Sequence, residues 1–421
     1  MARDSKWTMF LAVAVALAGT ACDDASDSDP NAVDGGGMGD GGSPDGGSPD
    51  GGSPDGGSPD GGDPGPRLFF STALFGVEPD GQLGVLRLSS SEVRLSEEPT
   101  QDTDSVVQWV DGTPLVLERT HGMVAVRSPD DPLTLVRRID VNPEGTPDGT
   151  DFAANPQRVV GVASDRAYVV PQARNELVII DPRPTGAEEP LDEVDLSAFH
   201  LAEDMDGVVD PSDAIRIGDR VYVTLARSWF DEAFEIQFEG SVLAVVDTTD
   251  DTLVDMDPEA DGIQGIPLDG DVSGGGLVHD PTGDRLLVVA VGAHGELDGG
   301  IEQVDLSDGG SDGFVLTEAE LGRDVGGLAW VDSTRAYVRL APELDEELTE
   351  VAPSEVRVWD PSTGDLSEET FATDVDGMLV HEGVLHAWSG GEIALYDAAS
   401  GDPIDSVEVS DLPVFSAAVW P

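Results

Sequence analysis

A repeating unit of four short strand candidates constrains the fold of this chain more than any other feature. Residues 325–371 hold one complete copy, with strand candidates at 327–331, 336–340, 355–359 and 366–371. Each run is rich in Val, Leu, Trp and Tyr and is too short for a helix, which is typical of strands. A unit of this size cannot bury both of its faces, so neighbouring copies must stack against it.

Two elements of this unit recur along the chain. A turn leads into an apolar second strand in residues 164–169, 218–223, 283–288 and 333–338. The third strand ends with an aspartate in several copies, at Asp181, Asp247, Asp305, Asp360 and Asp397. An aspartate there can accept hydrogen bonds from backbone amides of the following turn, so the pattern predicts tight connections to the fourth strand.

Seven units can be counted between residues 67 and 421. Their third strands centre on Val85, Ala125, Ile179, Ala244, Gln303, Val358 and Ala394, and their first strands on Val107, Val160, Ile215, Leu277, Ala329, Leu379 and Ala417. The last first strand has almost no chain after it, whereas the segment that starts at Arg67 lacks a first strand. We therefore predict an all-β fold, a seven-bladed β-propeller of four-stranded antiparallel blades, closed by the C-terminal strand joining the N-terminal blade. A pair of packed sheets is the alternative.

The second strands resemble those of a known family. Tyr222-Val223-Thr224-Leu225, with residues 168–171 and 337–340, is similar to the YVTN-repeat, lactonase-like seven-bladed propellers. The likeness spans residues 67–421. It implies the propeller fold, but it implies no single function, because the family includes binding proteins and a few enzymes.

The N-terminus has the features of an export signal. Arg3 and Lys6 precede an apolar run at residues 8–18, which is too short to span a bilayer as a permanent helix. Gly19-Thr20-Ala21-Cys22 then resembles a bacterial lipoprotein cleavage site and contains the only cysteine of the chain. This resemblance implies that residues 1–21 are a signal peptide and that Cys22 is diacylated, which would anchor the protein in a lipid bilayer.

Residues 22–66 are predicted to be the lipidated cysteine and a disordered linker. The sequence Gly-Gly-Ser-Pro-Asp occurs four times between residues 41 and 60, and such a composition cannot form a core. A flexible chain of this length reaches roughly 35–40 Å. We expect an exported protein, lipid-anchored in the bacterial cell envelope at the outer membrane or cell surface. Asp23 leaves retention at the inner membrane as the alternative.

The charge of the chain excludes one class of partner. Its formal net charge is −64, and a surface so acidic repels nucleic acid, so we expect no nucleic-acid partner. The same charge suits divalent cations, basic ligands or solubility. A solvated acidic surface is the simplest explanation, and we expect a monomer.

Acidic residues precede most of the predicted first strands. They are Asp104, Asp213, Asp271, Asp324, Asp374, Asp376 and Asp411, and Asn155 takes this place in one unit. In a four-stranded meander these positions share one face of the ring with the loops between second and third strands. We therefore expect a ring of acids around the channel mouth, which would attract a ligand or a hard cation such as Ca²⁺. Turn-capping aspartates are the alternative.

The loop between the second and third strands of the third unit is aromatic. It spans residues 227–240 and includes Trp229 and Phe230 among acids. Because it belongs to the same face as the predicted acidic mouth, it is our best candidate for contact with a protein or small-molecule partner. The alternatives are that these rings pack as a small satellite core or form an extra hairpin.

One further segment has the spacing of an acidic calcium loop. Asp255, Asp257, Glu259 and Asp261 alternate along the chain before Gly262, and alternating oxygens can wrap a hard ion. The segment lacks glycine at its sixth position and a glutamate at its twelfth. An ordinary polar connector between units is the alternative.

No complete catalytic motif is present in the sequence, which has no Gly-x-Ser-x-Gly elbow and no cysteine in the propeller. We therefore predict a non-enzymatic module that binds a ligand or a protein at the envelope. The alternative is a metal-dependent hydrolase of the lactonase type, with a divalent cation at the channel mouth.

Overall fold

The computed structural model describes residues 66–73, 81–100, 102–147, 150, 152–201, 207–230, 236–238, 240–272, 276–307, 309–344 and 350–420. The predicted signal peptide, Cys22 and nearly all of the predicted linker lie outside these residues. Within them, no helix is long and apolar enough to cross a membrane.

The first third of the described chain consists of eleven strands and one short helix. The strands are β1 (Arg67–Thr72), β2 (Gln82–Arg87), β3 (Glu92–Leu95), β4 (Ser105–Val110), β5 (Thr113–Glu118), β6 (Met123–Ser128), β7 (Asp131–Asp140), β8 (Pro156–Ala163), β9 (Arg166–Pro171), β10 (Glu176–Ile180) and β11 (Asp192–Asp195). A 3₁₀ helix follows at Ser197–Phe199.

The middle of the chain continues in the same way. Its strands are β12 (Pro211–Ile217), β13 (Arg220–Leu225), β14 (Ser228–Phe230), β15 (Ile236–Phe238), β16 (Val242–Asp247), β17 (Thr252–Leu253), β18 (Ile266–Pro267), β19 (Leu277–Asp280), β20 (Arg285–Ala290), β21 (Gly300–Asp305) and β22 (Gly310–Thr317). The single-turn helix α1 (Glu318–Leu321) begins with a capping box between Thr317 and Glu320.

The last part of the chain is again made of strands. They are β23 (Val325–Asp332), β24 (Arg335–Leu340), β25 (Glu343–Leu344), β26 (Glu350–Ala352), β27 (Glu355–Asp360), β28 (Asp365–Thr373), β29 (Gly377–His381), β30 (Val384–Ser389), β31 (Glu392–Asp397), β32 (Pro403–Glu408) and β33 (Val414–Trp420).

These strands form seven antiparallel blades, which we number 1 to 7. In order they are β4–β7, β8–β11, β12-β13-β16-β17, β19–β22, β23-β24-β27-β28, β29–β32 and β33-β1-β2-β3. The first strand of each blade contacts the first strand of the next, and β33 contacts β4, so the ring is closed. All seven predicted first strands and all seven predicted third strands are confirmed.

The ring closes where the sequence predicted. β33 pairs with β1 in antiparallel register, with Phe70 opposite Ala417 and Ser71 opposite Ser416. One blade is therefore built from both ends of the folded region, and no inner strand is left without a neighbour. This pairing excludes the alternative of two packed sheets.

The apolar core lies between the blades. Seven clusters of buried apolar residues occur in the described chain, one at each junction between neighbouring blades. The middle strands are covered on both faces, as in β9, where Ala167 to Pro171 are all buried. This two-sided burial explains why the strands read as continuous apolar runs rather than alternating ones.

The repeated aspartates close turns, as predicted. In all five copies the carboxylate accepts a hydrogen bond from the amide two residues later, at 3.0 Å for Asp181, 2.8 Å for Asp247, 2.7 Å for Asp305, 2.9 Å for Asp360 and 3.1 Å for Asp397. These bonds favour the ionised carboxylate, and the bond from the Thr249 amide accordingly lowers the pKa of Asp247. The sequence signature is therefore a turn-forming device and not a binding motif.

Candidate functional site

The site lies on the face of the ring where the seven first strands begin, which we call the entry face. Because the second strand of each blade runs back to this face, the loops between second and third strands also belong to it. The structure places Asp104, Asn155, Asp213, Asp271, Asp324, Asp374, Asp376 and Asp411 at or just before the first strands. Position on the face is therefore as expected, and the partners of each side chain decide what it can do.

Asp104 belongs to a polar network that joins blades 1 and 2. Its carboxylate is buried and lies 3.0 Å from Arg119 Nη1. Arg119 Nε also donates to Asn155 Oδ1 at 3.3 Å, and Asn155 Nδ2 donates to Gln172 Oε1 at 2.8 Å. Burial raises the pKa of Asp104, although the neighbouring Arg119 opposes this. The side chains of Asp104 and Asn155 are therefore both engaged in contacts within the fold.

Asp213 links three blades. Its Oδ1 lies 3.5 Å from Arg158 Nε of blade 2, and its Oδ2 accepts a hydrogen bond from the Leu277 amide of blade 4 at 2.9 Å. A carboxylate held from two sides keeps adjacent first strands in register. Asp213 is thus placed at the mouth but is already neutralised by an arginine.

Asp324 faces a histidine instead of an arginine. Its Oδ2 accepts a hydrogen bond from the Gly295 amide at 2.7 Å. The same oxygen lies 2.8 Å from His294 Nδ1, but the two groups are not aligned for a hydrogen bond. The carboxylate raises the pKa of His294, and this outweighs the opposing effect of burial. The pair fixes the loop before β21 against the beginning of β23.

Glu318, in helix α1, holds together the same two segments, the loop before β21 and the start of β23. It is completely buried, and its two carboxylate oxygens accept hydrogen bonds from the amides of Gly299 at 2.9 Å and Val325 at 2.8 Å. Burial raises the pKa of Glu318 to about 7, while these two amide bonds favour the ionised form. It therefore positions the start of β23 and does not line the mouth.

Asp374 and Asp376 precede β29 and differ in their surroundings. Asp374 is exposed and has a positive φ of 61°. Asp376 is partly buried, accepts a hydrogen bond from the Gly390 amide at 2.8 Å, and has its pKa raised by burial. Asp271 also has its pKa raised by burial, with Asp298 as the next cause. The acidic rim is therefore uneven, and only part of it is neutralised by arginine.

A cavity of about 260 Å³ opens at the beginning of three neighbouring first strands, in blades 4, 5 and 6. It is lined by Gly276 just before β19, by Gly327 of β23 and Gly377 of β29, and by Arg339, Asp376 and Trp388 around them. A Cβ atom on Gly377 would lie 2.2 Å from the Trp388 ring, and one on Gly326 would lie 2.9 Å from Arg339 Cζ. Glycine is therefore required at position 377, where the Trp388 ring covers the backbone, whereas a side chain at position 326 would displace the Arg339 guanidinium.

The residues that cover this backbone occupy equivalent places in their blades. Val289 of β20, Arg339 of β24 and Trp388 of β30 each lie at the end of the second strand nearest the mouth, and Arg339 and Trp388 pair with Gly327 and Gly377. In the repeat, the position of Arg339 is taken by Val170, Thr224 and Val289. The arginine thus replaces an uncharged residue in the layer that lines the channel.

Arg339 and Trp388 were not predicted from the sequence, because neither is acidic and neither lies in a long loop. An available signal was the charged residue at a repeat position that is otherwise uncharged, together with glycine at the start of consecutive first strands. This combination indicates an open channel mouth with a positively charged side chain in its wall.

The aromatic loop forms an extra hairpin, which was one of the alternatives drawn from the sequence. β14 pairs with β15, with Trp229 opposite Gln237 and Phe230 opposite Ile236. Asp210 fixes its base by accepting hydrogen bonds from the amide and hydroxyl of Ser228, at 3.0 and 3.1 Å. Trp229 is half-buried. The role of Trp229 and Phe230 in binding stays a prediction.

The acidic segment at residues 255–261 interrupts the outer strand of blade 3. β17 and β18 both pair with β16, and the segment is the excursion between them. Asp255 Oδ1 accepts from the amides of Asp257 at 3.2 Å and Gln264 at 3.1 Å, and Asp257 Oδ1 accepts from the Glu259 amide at 3.2 Å. These carboxylates close successive turns, and calcium binding by Asp255, Asp257, Glu259 and Asp261 stays a prediction.

Across the described ranges, no group of three or more histidine, cysteine, aspartate or glutamate side chains is arranged to hold a metal ion. The acids of the entry face lie in separate blades, and several of them bond to arginine, histidine or backbone amides instead of converging. A cation at the mouth would therefore require these side chains to rearrange.

A larger groove, of about 1040 Å³, lies between the outer strands of blades 7 and 1. The charged side chains in its walls are mostly matched within the fold, since Arg94 lies 2.9 Å from Asp131 and Arg138 lies 2.7 Å from Glu118. Arg127 in its wall is buried, which lowers the pKa of Arg127 to about 10. We place the candidate site at the channel mouth, because Arg339 and Asp376 line one cavity there and are not joined in an ion pair.

Comparison with known proteins supports the fold. No protein-family model matches the chain, and neither does any curated protein. One similar solved structure, from Bacteroides uniformis ATCC 8492, is provisionally assigned as a 6-phosphogluconolactonase; it is 10% identical with a TM-score of 0.55, covering 85% of this chain and 100% of that one. A second with the same provisional assignment, from Bacteroides fragilis NCTC 9343, is 10% identical with a TM-score of 0.53, covering 86% and 99%. At this identity the likeness shows the propeller fold alone.

Proposed function

We propose that this chain is an exported, non-enzymatic lipoprotein whose propeller binds a ligand or a protein partner at the entry face. Cys22, acylated after removal of residues 1–21, would anchor it in the cell envelope, at the outer membrane or cell surface. The linker that follows would hold the propeller roughly 35–40 Å from the lipid. The support for this arrangement is the order of charged, apolar and small residues before Cys22 and the tandem repeat after it.

The observation that carries the binding function is the open mouth in blades 4 to 6. A cavity with two charged walls lies there, and the hairpins β14–β15 and β25–β26 extend from the same face. Concave sites with a few convergent polar groups are where proteins bind small ligands, and projecting loops are where they bind partners. The entry face offers both.

We also propose that the propeller belongs to the YVTN-repeat group, on the evidence of the Tyr-Val second strands. The competing function is a metal-dependent hydrolase of the lactonase type. The two similar structures are provisionally assigned as 6-phosphogluconolactonases. The fold cannot decide between these functions, because propellers serve both binding and catalysis. Metal analysis of the purified propeller decides it: a stoichiometric divalent cation with hydrolysis of a lactone favours the enzyme.

Capture from intact cell envelopes tests the proposed function. The wild-type chain should retain a partner or ligand that the double variant Trp229→Ala/Phe230→Ala retains at least about five-fold less, because the hairpin would lose two aromatic side chains that can contact a partner. Cys22→Ser should release the chain from the membrane fraction without changing capture. The matched control is Leu191→Ala, an exposed apolar residue away from the entry face.

The melting temperature of the double variant separates binding from packing. We expect it to stay within about 2 °C of the wild type, since a half-buried hairpin contributes little to the blade cores. A fall of more than about 5 °C would instead assign the two rings to packing. Equal capture by wild type, double variant and control would contradict binding through this hairpin.

A further inference from the structure

Two opposite charges line the cavity at the channel mouth without meeting. Arg339 and Asp376 both form its walls, but no ion pair within 4.0 Å joins them in the described structure. Each has one backbone partner: Arg339 Nη2 donates to Gly326 O at 2.7 Å, and Asp376 Oδ2 accepts from the Gly390 amide at 2.8 Å. Elsewhere on the face Asp104 and Asp213 are matched by arginine.

Keeping two partly buried charges apart costs free energy, because each has lost part of its hydration and the attraction between them compensates only in part. Burial lowers the pKa of Arg339 and raises the pKa of Asp376, which are the directions expected of charges without full compensation. A direct ion pair would remove much of this cost. Two opposite charges that line one cavity without forming a direct ion pair therefore indicate a ligand that bridges them.

Trp388 adds a third polar group. Its side chain lines the same cavity and is only 7% exposed, and its indole Nε1 has no hydrogen-bond partner among the described residues. Buried tryptophan N–H groups normally find an acceptor. An acceptor supplied by a ligand would satisfy both this donor and the remaining donors of Arg339.

The rest of the wall is apolar. Val278, Val289, Leu328 and Met378 line the cavity beside the three polar side chains. At about 260 Å³ the cavity is below the usual range for drug-sized ligands, which is roughly 300–1,000 Å³. The occupant must therefore be small and must present an apolar group together with its charges.

We propose that this cavity binds a small apolar α-amino acid as its zwitterion, an inference that rests on the ligand-binding function proposed above. The carboxylate accepts hydrogen bonds from the Arg339 guanidinium and Trp388 Nε1, the ammonium group donates to Asp376, and the side chain packs against Leu328 and Met378. A ligand without net charge also avoids repulsion by a protein of net charge −64, which a simple anion would meet.

Isothermal titration of the full chain with charge-deleted analogues tests the proposal. The probes are glycine, L-alanine, L-valine, L-leucine and L-methionine, with 4-methylpentanoate as leucine without its ammonium group and 3-methylbutylamine as leucine without its carboxylate. We expect at least one apolar amino acid to bind and to raise the melting temperature. Each single-charge analogue should bind at least about ten-fold more weakly, because one charged hydrogen-bonded group is lost.

Substitutions in the cavity should each weaken only the analogue that carries the matching charge. Variants that merely disturbed the structure would weaken both analogues. Arg339→Gln should weaken leucine and 4-methylpentanoate at least about ten-fold and leave 3-methylbutylamine unchanged. Asp376→Asn should weaken leucine and 3-methylbutylamine at least about ten-fold and leave 4-methylpentanoate unchanged. Trp388→Phe keeps an aromatic ring over Gly377 and removes only the Nε1 donor, so it remains informative if the other variants fold poorly. Arg357→Gln, which lies outside the cavity lining, is the control.

Three results would overturn the proposal. In the first, no amino acid of the panel binds to the folded protein. In the second, 4-methylpentanoate binds as tightly as leucine, which would make the ligand a simple carboxylate. In the third, leucine binds but Trp388→Phe and the two charge variants bind it like the control, which would place the ligand elsewhere. Capture of an envelope partner in any of these cases would leave the proposed function standing.

Discussion

At the scale of single residues, the candidate site depends more on a few buried or partly buried polar side chains than on the abundant surface acids. Asp376 was predicted as a rim acid and Arg339 and Trp388 were not, yet all three line one cavity. Asp104 and Asp324 were predicted as rim acids and lie at the expected end of their blades, but each is already held by a neighbour. Sequence reasoning located these acids correctly because position follows from the strand count. It did not assign their partners, because these depend on how loops pack: Arg119 follows β5 of the same blade as Asp104, whereas His294 reaches Asp324 from the neighbouring blade 4.

The buried histidine of blade 6 gives a prediction about pH. His386 is 1% exposed, and burial lowers the pKa of His386 to about 4, with His381 adding to the shift. The unfolded chain binds this proton near pH 6.5 and the folded protein does not, so stability rises with pH between about 4 and 6.5. Chemical denaturation should show that wild type loses about 2–3 kcal/mol more than His386→Leu when the pH falls across this window.

The control for this prediction is His200→Leu, because His200 is exposed. We expect it to keep the wild-type pH profile. Parallel profiles for wild type and His386→Leu between pH 4 and 6.5 would contradict the buried, neutral histidine. Protonation of the many carboxylates at low pH lowers the stability of all three proteins alike. The difference between their pH profiles therefore isolates the contribution of His386.

At the scale of strands and turns, the repeat predicts local structure well and insertions poorly. Asp360 closes its turn as the signature predicted, since the bond involves only neighbours in the chain. The β14–β15 hairpin and the split outer strand of blade 3 were not predictable in the same way. Both depart from the repeat: among the described strands, β14 and β15 pair only with each other, and β17 and β18 share β16.

The tyrosines of the repeat join neighbouring blades. Tyr337 of blade 5 donates its hydroxyl to Ala398 O of blade 6 at 3.0 Å and accepts from Arg335 Nη2 at 3.0 Å. Tyr168 of blade 2 similarly donates to Asp251 of blade 3. In blades 2 and 5 the tyrosine of the Tyr-Val signature therefore ties one blade to a turn of the next.

Removing one such hydroxyl should weaken the junction measurably. Tyr337→Phe leaves the Ala398 carbonyl without this donor, and we expect a loss of about 1–2 kcal/mol in the free energy of unfolding by urea. Tyr396→Phe, on a half-buried ring that packs edge-on against Phe371, should cost less than about 0.5 kcal/mol. Equal losses in the two variants would show that the hydroxyl bond to blade 6 contributes nothing specific.

At the scale of the whole molecule, closure creates the site. The cavity requires three first strands side by side, and the ring holds them there because blade 7 is completed by β33 and β1. The sequence predicted this closure from simple counting: the first unit lacked an inner strand and the chain end supplied one. The identity of the cavity residues could not be counted in that way, since it depends on side chains from blades 4 to 6.

The most direct test of the account is to trap the closure covalently. Ser71 of β1 and Ser416 of β33 are directly opposite, so Ser71→Cys/Ser416→Cys in a Cys22→Ser background should form a disulfide on oxidation, because opposite strand residues fall within bridging distance. We expect complete cross-linking of the native protein and about 2–5 kcal/mol of added stability. The control pair Ser71→Cys/Ser212→Cys, on blades 7 and 3, should stay reduced. Native protein in which residues 71 and 416 remain unlinked, or link no better than the control, would contradict the closed ring and the entry face that depends on it.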